Sequence, residues 1–233
     1  MKKETREVLD KMTFSQKASM LTGKNSRTTE IPELDIPPVR MTDGPSGVRK
    51  SEYIMKDGCV AVPTGSALGA SWNRELLFEV GRLLGDECIN EEVDMLLAPG
   101  VNMKRTPHCG RNFEYYSEDP LLSGILGAAY VNGLASRGIA SSVKHYALNN
   151  QENDRVFINA EVDERTMREY YLKVFEILLK HSSPLCIMNS YNKAGGIFTS
   201  ENKYLLTDIL RNEFGFDGMI VSDWGAVHDI ALS

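Results

Sequence analysis

The sequence predicts an α/β fold: a parallel sheet wound by helices, of the (β/α)8 TIM-barrel type. Short apolar runs alternate with amphipathic helical segments along the 233 residues, which is typical of parallel sheets with helical connections. About six of the runs read as strands, and polar residues follow most of them. An open doubly wound sheet would gather such residues at one crevice, so their spread favours a barrel, whose strand ends share one face.

The composition is that of one folded domain and excludes several classes of protein. The 26 basic and 32 acidic side chains leave a net charge of −6, and 42% of the residues are hydrophobic. These values exclude disordered, collagen-like and coiled-coil chains. The acidic balance predicts no nucleic acid and no membrane surface as a partner, and no apolar run approaches the roughly 18 residues of a membrane helix. The length suits a single domain over residues 1–233.

The sequence has no motif that indicates a metal, a nucleotide cofactor or export. No CxxC pair, zinc-ligand spacing or glycine-rich phosphate loop occurs, so we expect no cofactor and no metal. The first residues, MKKETREVLDKM, lack the apolar segment of a secretory signal. We therefore expect a cytoplasmic protein with reduced thiols. The scattered cysteines are Cys59, Cys88, Cys109 and Cys186.

Helix caps, prolines and apolar runs predict the elements of the first half. Thr13 followed by Gln16 predicts the start of a helix, and Gly23 predicts its end. Asn73 predicts the N-cap of a long helix over 74–91, whose apolar residues recur at helical spacing. Proline is confined to the starts and edges of strands, and fully apolar runs suit barrel strands. The predicted strands are 39–42, 67–71 and 95–98.

The second half repeats the order of strand, polar loop and helix. The loop 99–120 precedes a predicted helix over 121–136, and the loop 149–163 precedes one over 164–179. A third helix is predicted over 205–214. The predicted strands are 139–143, 185–188 and 218–222. Polar residues follow each of these strands, which places their side chains together at the carboxyl ends of the sheet.

The residues at the strand ends form a candidate site, and each also has an ordinary structural interpretation. Asp223 follows an apolar strand and precedes Trp224, so its carboxylate suits a nucleophile, a base or the cap of a following helix. Lys144 and His145 suit sugar hydroxyls, phosphates or carboxylates, or an ion pair with Glu152 or Asp154, and Lys144 also suits a Schiff base.

Residues in and beside the loops offer further contacts for a ligand. Asp43 precedes a Gly-Pro-Ser-Gly segment and is either a turn residue or an acceptor for ligand hydroxyls. Arg111 presents a rigid fork of donors for adjacent hydroxyls or a carboxylate, or is a solvated surface residue. Aromatic residues such as Tyr191 and Trp224 bury the apolar face of a sugar or pack as small cores.

Six segments of the chain are informative when they are taken together. They are MTDGPSGVR (41–49), LAPGVN (97–102), GRNFE with SEDP (110–120), KHYALNNQE (144–152), MNSYN (188–192) and VSDWGA (221–226). In this order they resemble the signatures of glycoside hydrolase family 3, the β-glucosidase family. The resemblance implies an N-terminal barrel domain and retaining hydrolysis of a β-glucoside or oligosaccharide through a covalent glycosyl-enzyme.

The resemblance also implies a role for each candidate residue. Asp223 matches the catalytic nucleophile, and Tyr191 matches the tyrosine close to it. Four residues match those that hold the hydroxyls of the sugar in the −1 subsite: Asp43, Arg111, Lys144 and His145. Met188 and Trp224 match residues that line the same pocket.

The family further implies a domain that residues 1–233 do not match. Its barrel continues past the nucleophile motif, and a C-terminal α/β-sandwich domain follows and supplies the acid/base glutamate. We therefore expect the 233 residues to be a partial barrel that lacks this domain and that is poorly stable alone or self-associates through an open strand edge. The alternatives are a non-catalytic sugar-binding or inactive fragment and, with less support, a Schiff-base lyase that uses Lys144.

Overall fold

A five-stranded parallel sheet forms the centre of the chain. The computed structural model describes residues 3–24, 26–49 and 59–229. The strands are β1 (Met41–Asp43), β2 (Met95–Leu97), β3 (Ala140–Tyr146), β4 (Cys186–Asn189) and β5 (Met219–Ser222). They lie side by side in chain order, and each neighbouring pair is parallel. Sequential parallel strands with helical connections are the arrangement of an incomplete α/β barrel, which confirms the predicted fold class.

Helices precede the first strand of the sheet and fill most of the connections between the strands. They are α1 (Lys3–Lys11), α2 (Phe14–Met20), α3 (Gly65–Ala70), α4 (Arg74–Asn90), α5 (Pro120–Ala135), α6 (Glu164–Thr166) and α7 (Lys173–His181). Two π-helical segments cover Met167–Tyr171 and Tyr204–Glu213. Single 3-10 turns cover Pro32–Leu34, Asn112–Glu114 and Thr199–Glu201. Within the described residues, no helix has the length and apolar character needed to cross a membrane.

Side-chain caps start the helices where the sequence predicted them. The hydroxyl of Thr13 accepts a hydrogen bond from the backbone N–H of Gln16, whose side chain accepts one from the N–H of Thr13 in return, and this capping box starts α2. Asn73 caps α4 with its side-chain oxygen, which accepts a hydrogen bond from the backbone N–H of Leu76 at 3.0 Å. The predicted helix end at Gly23 is wrong, because α2 ends at Met20 and Gly23 pairs in a small antiparallel hairpin.

The predicted strand 67–71 is wrong, because this segment is the helix α3. Thr64 caps the helix by accepting a hydrogen bond from the N–H of Ala67 at 3.4 Å. The small residues of the segment serve close packing, since a Cβ on Gly69 would lie 2.2 Å from the carbonyl oxygen of Tyr116. The described part of the chain therefore has five barrel strands, against the six that the sequence predicted.

Three other predicted segments differ in detail from the structure. The helix predicted over 164–179 is divided by the π-helical turn, and the helix over 205–214 is π-helical. The predicted loop 149–163 contains a short strand, Asn159–Ala160, which joins a three-stranded sheet with Lys193–Ala194 and Ile197–Phe198. That small sheet lies after the carboxyl ends of β3 and β4.

Two apolar clusters lie on the two faces of the curved sheet. The larger one joins outward strand residues such as Val143 and Ile187 to the helices. Helices α4 and α5 approach closely there, since a Cβ on Gly133 would lie 2.2 Å from the carbonyl oxygen of Phe78. The smaller cluster is the interior of the barrel and consists of Met41, Met95, Leu97, Cys186 and Met188. At the carboxyl ends of the strands this cluster adjoins the candidate site, whose lining includes Leu97 and Met188.

Candidate active site

A cavity of about 920 Å³ opens at the carboxyl ends of the strands. All eight residues predicted for the site line it, so the structure brings them together, while their individual roles stay predictions. Four of them lie in strands: Asp43, Lys144, His145 and Met188. The other four lie in the segments that follow β2, β4 and β5: Arg111, Tyr191, Asp223 and Trp224.

A β-bulge in β3 lets two consecutive residues face the cavity. Lys144 pairs with Met188, and the next pair joins Tyr146 to Asn189, so β3 has one extra residue, His145, between the two pairs. Side chains of a regular strand alternate between faces, and a bulge inserts a residue and shifts this alternation. Lys144 and His145 therefore both line the cavity, while Tyr146 packs in the outer core.

The two carboxylate oxygens of Asp223 have different surroundings. Oδ1 accepts a hydrogen bond from the backbone N–H of Trp224 at 2.8 Å. Oδ2 is buried without a hydrogen-bond partner in the described part of the chain, and it lies 3.7 Å from Nη1 of Arg111 and 3.6 Å from Nε2 of His145. The described residues that follow, 224–229, are not helical, so Asp223 is not the cap of a helix there.

A network of alternating charges, in which Lys144 and Glu114 are buried, also lines the cavity. Nζ of Lys144 donates a hydrogen bond to Oδ1 of Asp43 at 2.6 Å and lies 3.5 Å from Oε2 of Glu114. Nε of Arg111 donates to the other oxygen of Glu114. The ion pairs predicted for Lys144 with acids at 152 or 154 are wrong, because its partners come from β1 and from the loop after β2.

Glu114 is the member of this network that sequence reasoning left without a role. It is 4% exposed, and its carboxylate contacts both Arg111 and Lys144. Arg111 precedes the 3-10 turn that ends at Glu114, and side chains three residues apart in such a turn lie on the same side. This spacing is a local pattern from which their ion pair can be predicted. The contact with Lys144 spans 30 residues of sequence, and no local pattern predicts it.

Two members of the network, Asp43 and Arg111, have pKa values shifted from their ordinary values. Burial acts to raise the pKa of Asp43, but the charge and hydrogen bond of Lys144 outweigh it and hold the pKa below its ordinary value. Burial acts to lower the pKa of Arg111, whereas Tyr115, Glu114 and Asp223 together raise it above its ordinary value. Arg111 therefore stays a cation beside Asp223.

His145 is fully buried and uncharged. Burial is the main cause that holds the pKa of its imidazole well below the ordinary value, and the cations Arg111, Lys144 and Arg155 act in the same direction. Its backbone is held by Asn102, whose Oδ1 accepts from the His145 N–H at 2.8 Å and whose Nδ2 donates to the His145 carbonyl at 2.9 Å. Asn102 and His145 are 43 residues apart in the chain, and no local pattern predicts this contact.

Aromatic and apolar side chains complete the cavity. The hydroxyl of Tyr191 donates to the carbonyl oxygen of Trp224 at 2.9 Å, and burial together with Asp223 raises the pKa of Tyr191 to about 12. The Arg155 guanidinium lies 4.6 Å from the centroid of the Tyr191 ring. The Trp224 side chain is 47% exposed at the rim, whereas Met188 is buried.

This arrangement suits an uncharged ligand with many hydroxyl groups. Ionised donors and acceptors lie side by side, and aromatic rings offer flat apolar surfaces. In the described residues, no cluster of three or more histidine, cysteine, aspartate or glutamate side chains has the geometry of a metal site. None of the four cysteines lines the cavity.

The fold and the site define a class of protein, an α/β-barrel domain with a carboxylate-bearing pocket at the carboxyl ends of its strands. Comparison with known families gives the particular one. The model of the glycosyl hydrolase family 3 N-terminal domain matches residues 7–233. The chain therefore belongs to glycoside hydrolase family 3.

Individual relatives and solved structures agree with this assignment. The chain is 44% identical to thermostable β-glucosidase B of Acetivibrio thermocellus, over 97% of this chain and 31% of that protein. It is 43% identical to an exo-α-(1→6)-L-arabinopyranosidase of Bifidobacterium longum, over 95% of this chain and 30% of that protein. The structure of a β-glucosidase from Kluyveromyces marxianus in complex with glucose matches with a TM-score of 0.95 at 38% identity, over 97% of this chain and 27% of that chain. The chain thus spans about 30% of the length of the curated relatives it matches.

Proposed function

We propose that these residues supply the nucleophile and the sugar subsite of a retaining glycoside hydrolase that releases terminal, non-reducing β-D-glucosyl residues. Asp223 attacks the anomeric carbon while the glycosidic bond breaks, and the leaving oxygen takes a proton from the acid/base residue. Water, which gives a proton back to that residue, then attacks the anomeric carbon of the covalent glycosyl-enzyme, and the bond to Asp223 breaks to release the sugar. The observation that carries this proposal is the asymmetry of the Asp223 carboxylate. Oδ1 is held by the N–H of Trp224, while Oδ2 is buried beside the cavity without a hydrogen-bond partner in the described residues.

The surroundings of Oδ2 support its use as a nucleophile. The Arg111 guanidinium, 3.7 Å away, stabilises the negative charge that an attacking carboxylate needs. Because Arg111 also pairs with Glu114, its position is fixed before substrate binds. A preorganised cation requires no rearrangement when charge moves during the reaction, and such preorganisation is a large part of electrostatic catalysis.

The pair of Asp43 and Lys144 in the cavity lining supports binding of sugar hydroxyls. Asp43 accepts hydrogen bonds and Lys144 donates them, and their paired atoms lie 2.6 Å apart. The Asp43 side chain is 45% exposed, so its carboxylate has capacity left for a ligand. Adjacent hydroxyls of a pyranose present a donor and an acceptor at a similar spacing, and Trp224 at the rim offers an aromatic face.

The acid/base residue of this mechanism is assigned to the region that the longer relatives have outside the matched part. Retaining enzymes place the second carboxyl group about 5–5.5 Å from the nucleophile, where it must carry a proton. Within the described residues, the other carboxylates that line the cavity are Asp43 and Glu114. Lys144 helps to lower the pKa of Asp43, which makes Asp43 a poor proton donor, and the two oxygens of Glu114 are occupied by Arg111 and Lys144.

The comparisons point to a second substrate class, the α-L-arabinopyranosides. The identity of 43% with an exo-α-(1→6)-L-arabinopyranosidase makes α-L-arabinopyranosides the second candidate substrates. A Schiff-base reaction at Lys144 is disfavoured by the geometry. Its Nζ donates to Asp43 and lies 3.5 Å from Glu114, so the amine is engaged by two carboxylates and is not free to attack a carbonyl carbon.

The proposal is tested by covalent trapping. The purified chain is incubated with 2,4-dinitrophenyl 2-deoxy-2-fluoro-β-D-glucoside, whose leaving group departs without a proton donor, and the product is analysed by intact and peptide mass spectrometry. We expect one fluoroglucosyl group on Asp223. Asp223→Asn should remain unlabelled, whereas Asp217→Asn, which alters an exposed carboxylate near β5, should label like the wild type.

Two results would count against the proposal. One is a label on another residue. The other is no label on a chain that circular dichroism shows to be folded, which would mean that these residues do not build the subsite by themselves. The same experiment with the corresponding 2-fluoro-α-L-arabinopyranoside compares the two substrate classes.

A further inference from the structure

His145 has one exchangeable proton, and its two ring nitrogens face different partners. The cause of its neutrality is burial together with the nearby cations Arg111, Lys144 and Arg155. A neutral imidazole carries its proton on either Nδ1 or Nε2, and the hydrogen bonds of the ring decide between the two tautomers. Which nitrogen holds the proton determines whether His145 presents a donor or an acceptor to the cavity.

The Nε2 side faces the carboxylate of Asp223. The distance between Nε2 and Oδ2 is 3.6 Å, and neither atom has a hydrogen-bond partner in the described residues. A carboxylate oxygen only accepts hydrogen bonds, so a lone pair on Nε2 would face another lone pair in a buried place. A proton on Nε2 removes this repulsion and leaves an N–H that can donate a hydrogen bond to a bound ligand oxygen or to Asp223.

The Nδ1 side faces a hydroxyl group that is itself held in place. The hydroxyl of Tyr115 lies 3.0 Å from Nδ1, and Nδ2 of Asn149 donates to the same hydroxyl at 3.3 Å. The Tyr115 oxygen therefore accepts from Asn149, and its own proton is directed to Nδ1. Tyr115, Asn149 and His145 are all buried, so water does not compete for these bonds.

We infer that Tyr115 and Asn149 are positioning residues that fix His145 in the tautomer protonated on Nε2, so that His145 presents a fixed N–H donor to the cavity beside Oδ2 of Asp223. Asn102 fixes the backbone of the same residue through two hydrogen bonds. The donor faces the oxygen that attacks in the proposed reaction. The effect of this N–H donor on the reaction rests on the proposed function, whereas the assignment of the His145 tautomer does not.

The tautomer is measured by NMR on the wild-type chain labelled with ¹⁵N. Two-bond ¹H–¹⁵N correlations distinguish a protonated ring nitrogen from an unprotonated one. The chain has four histidines, and the signals of His145 are identified by their loss in His145→Gln. We expect a protonated Nε2 and an unprotonated Nδ1 between pH 6 and pH 8. A protonated Nδ1, or a ring protonated on both nitrogens, would overturn the inference.

The role of Tyr115 is measured with a matched pair of variants. Tyr115→Phe removes the hydroxyl and keeps the ring, so a detectable fraction of the Nδ1-protonated tautomer should appear. Tyr116→Phe, which alters the neighbouring tyrosine in the outer core, should leave the His145 signals unchanged. An unchanged spectrum in Tyr115→Phe would show that the hydroxyl does not set the tautomer. If that variant does not fold, a nuclear Overhauser contact between a protected tyrosine hydroxyl proton and the His145 ring in the wild type decides the same point.

The effect on the reaction is measured separately from the tautomer. The rate of labelling by the fluoroglucoside should fall about tenfold in Tyr115→Phe, the ratio that corresponds to one lost hydrogen bond. A shifted tautomer with an unchanged labelling rate would refute the link to Asp223. If the wild type shows the expected tautomer but does not label, the proposed function fails and the inference about Tyr115 stands.

Discussion

Replacement of Glu114 by glutamine tests the charge network most sharply. Glu114 is nearly inaccessible, and its carboxylate contacts the cations Arg111 and Lys144 at once. Glutamine keeps the shape of the side chain and one acceptor oxygen but removes the negative charge. The two cations would then keep one carboxylate each, Asp43 for Lys144 at 2.6 Å and Asp223 for Arg111 at 3.7 Å.

The expected cost follows from the burial of these groups. Removal of one partner from a buried ion pair costs about 3–5 kcal/mol, because a buried charge is left without compensation. The remaining carboxylates and the retained acceptor place the expected loss for Glu114→Gln at the lower end, about 3 kcal/mol. For a chain of this length, such a loss lowers the melting temperature by about 6–12 °C.

The assay is thermal and urea unfolding, followed by circular dichroism. Glu118→Gln is the matched control, because this exposed carboxylate lies in the same loop, and its free energy of unfolding should stay within about 0.5 kcal/mol of the wild type. A loss below about 1 kcal/mol in Glu114→Gln would refute the reasoning, since it would show that the two cations do not depend on this carboxylate.

Three further predictions concern pH and packing. Burial lowers the pKa of His145, so below about pH 6.5 the unfolded chain binds a proton that the folded chain does not. As the pH decreases below this value, the free energy of unfolding of the wild type should decrease by up to about 1.4 kcal/mol per pH unit. His145→Gln should show a shallower dependence of the urea midpoint on pH. Equal slopes would contradict this. The pKa of Asp43 is lowered by Lys144, so the advantage of the wild type over Asp43→Asn should be full above pH about 4 and shrink as the pH falls below it, and an advantage independent of pH would contradict the pairing. Gly133→Ala should lower the free energy of unfolding in urea by about 1–3 kcal/mol, because the added Cβ would lie 2.2 Å from a carbonyl oxygen. Gly110→Ala, whose Cβ would have its nearest neighbour 3.6 Å away, should lower it by less than about 0.5 kcal/mol. Equal losses in the two variants would contradict the packing argument.

Local signals in the sequence predicted much of the fold. The caps at Thr13 and Asn73 depend on hydrogen bonds to residues three positions away, and both form as predicted. Apolar runs followed by polar residues located the carboxyl ends of β4 and β5 to within one residue and that of β3 to within three. Parallel strands bring their carboxyl ends together, which is why residues as distant in sequence as Asp43 and Asp223 line one cavity.

The features that the sequence did not predict depend on contacts between distant segments. The bulge at His145 is a property of its register with β4, and no residue in β3 alone indicates it. The segment 67–71 is rich in small residues, which suit a short strand as well as a helix packed closely against the loop at Tyr116. The second partner of Glu114 comes from another strand, so only the fold reveals its position in the network.

The crystal structure of the trapped chain tests the central claim most directly. After reaction with the 2-fluoro-β-D-glucoside, we expect a bond from the anomeric carbon to Oδ2 of Asp223 in the α configuration, since displacement inverts a β-glucoside. Oδ1 should keep its hydrogen bond to the N–H of Trp224, and the sugar hydroxyls should contact Asp43 and Lys144. A bond through Oδ1, a β-linked sugar or a sugar attached to any other side chain would contradict the account.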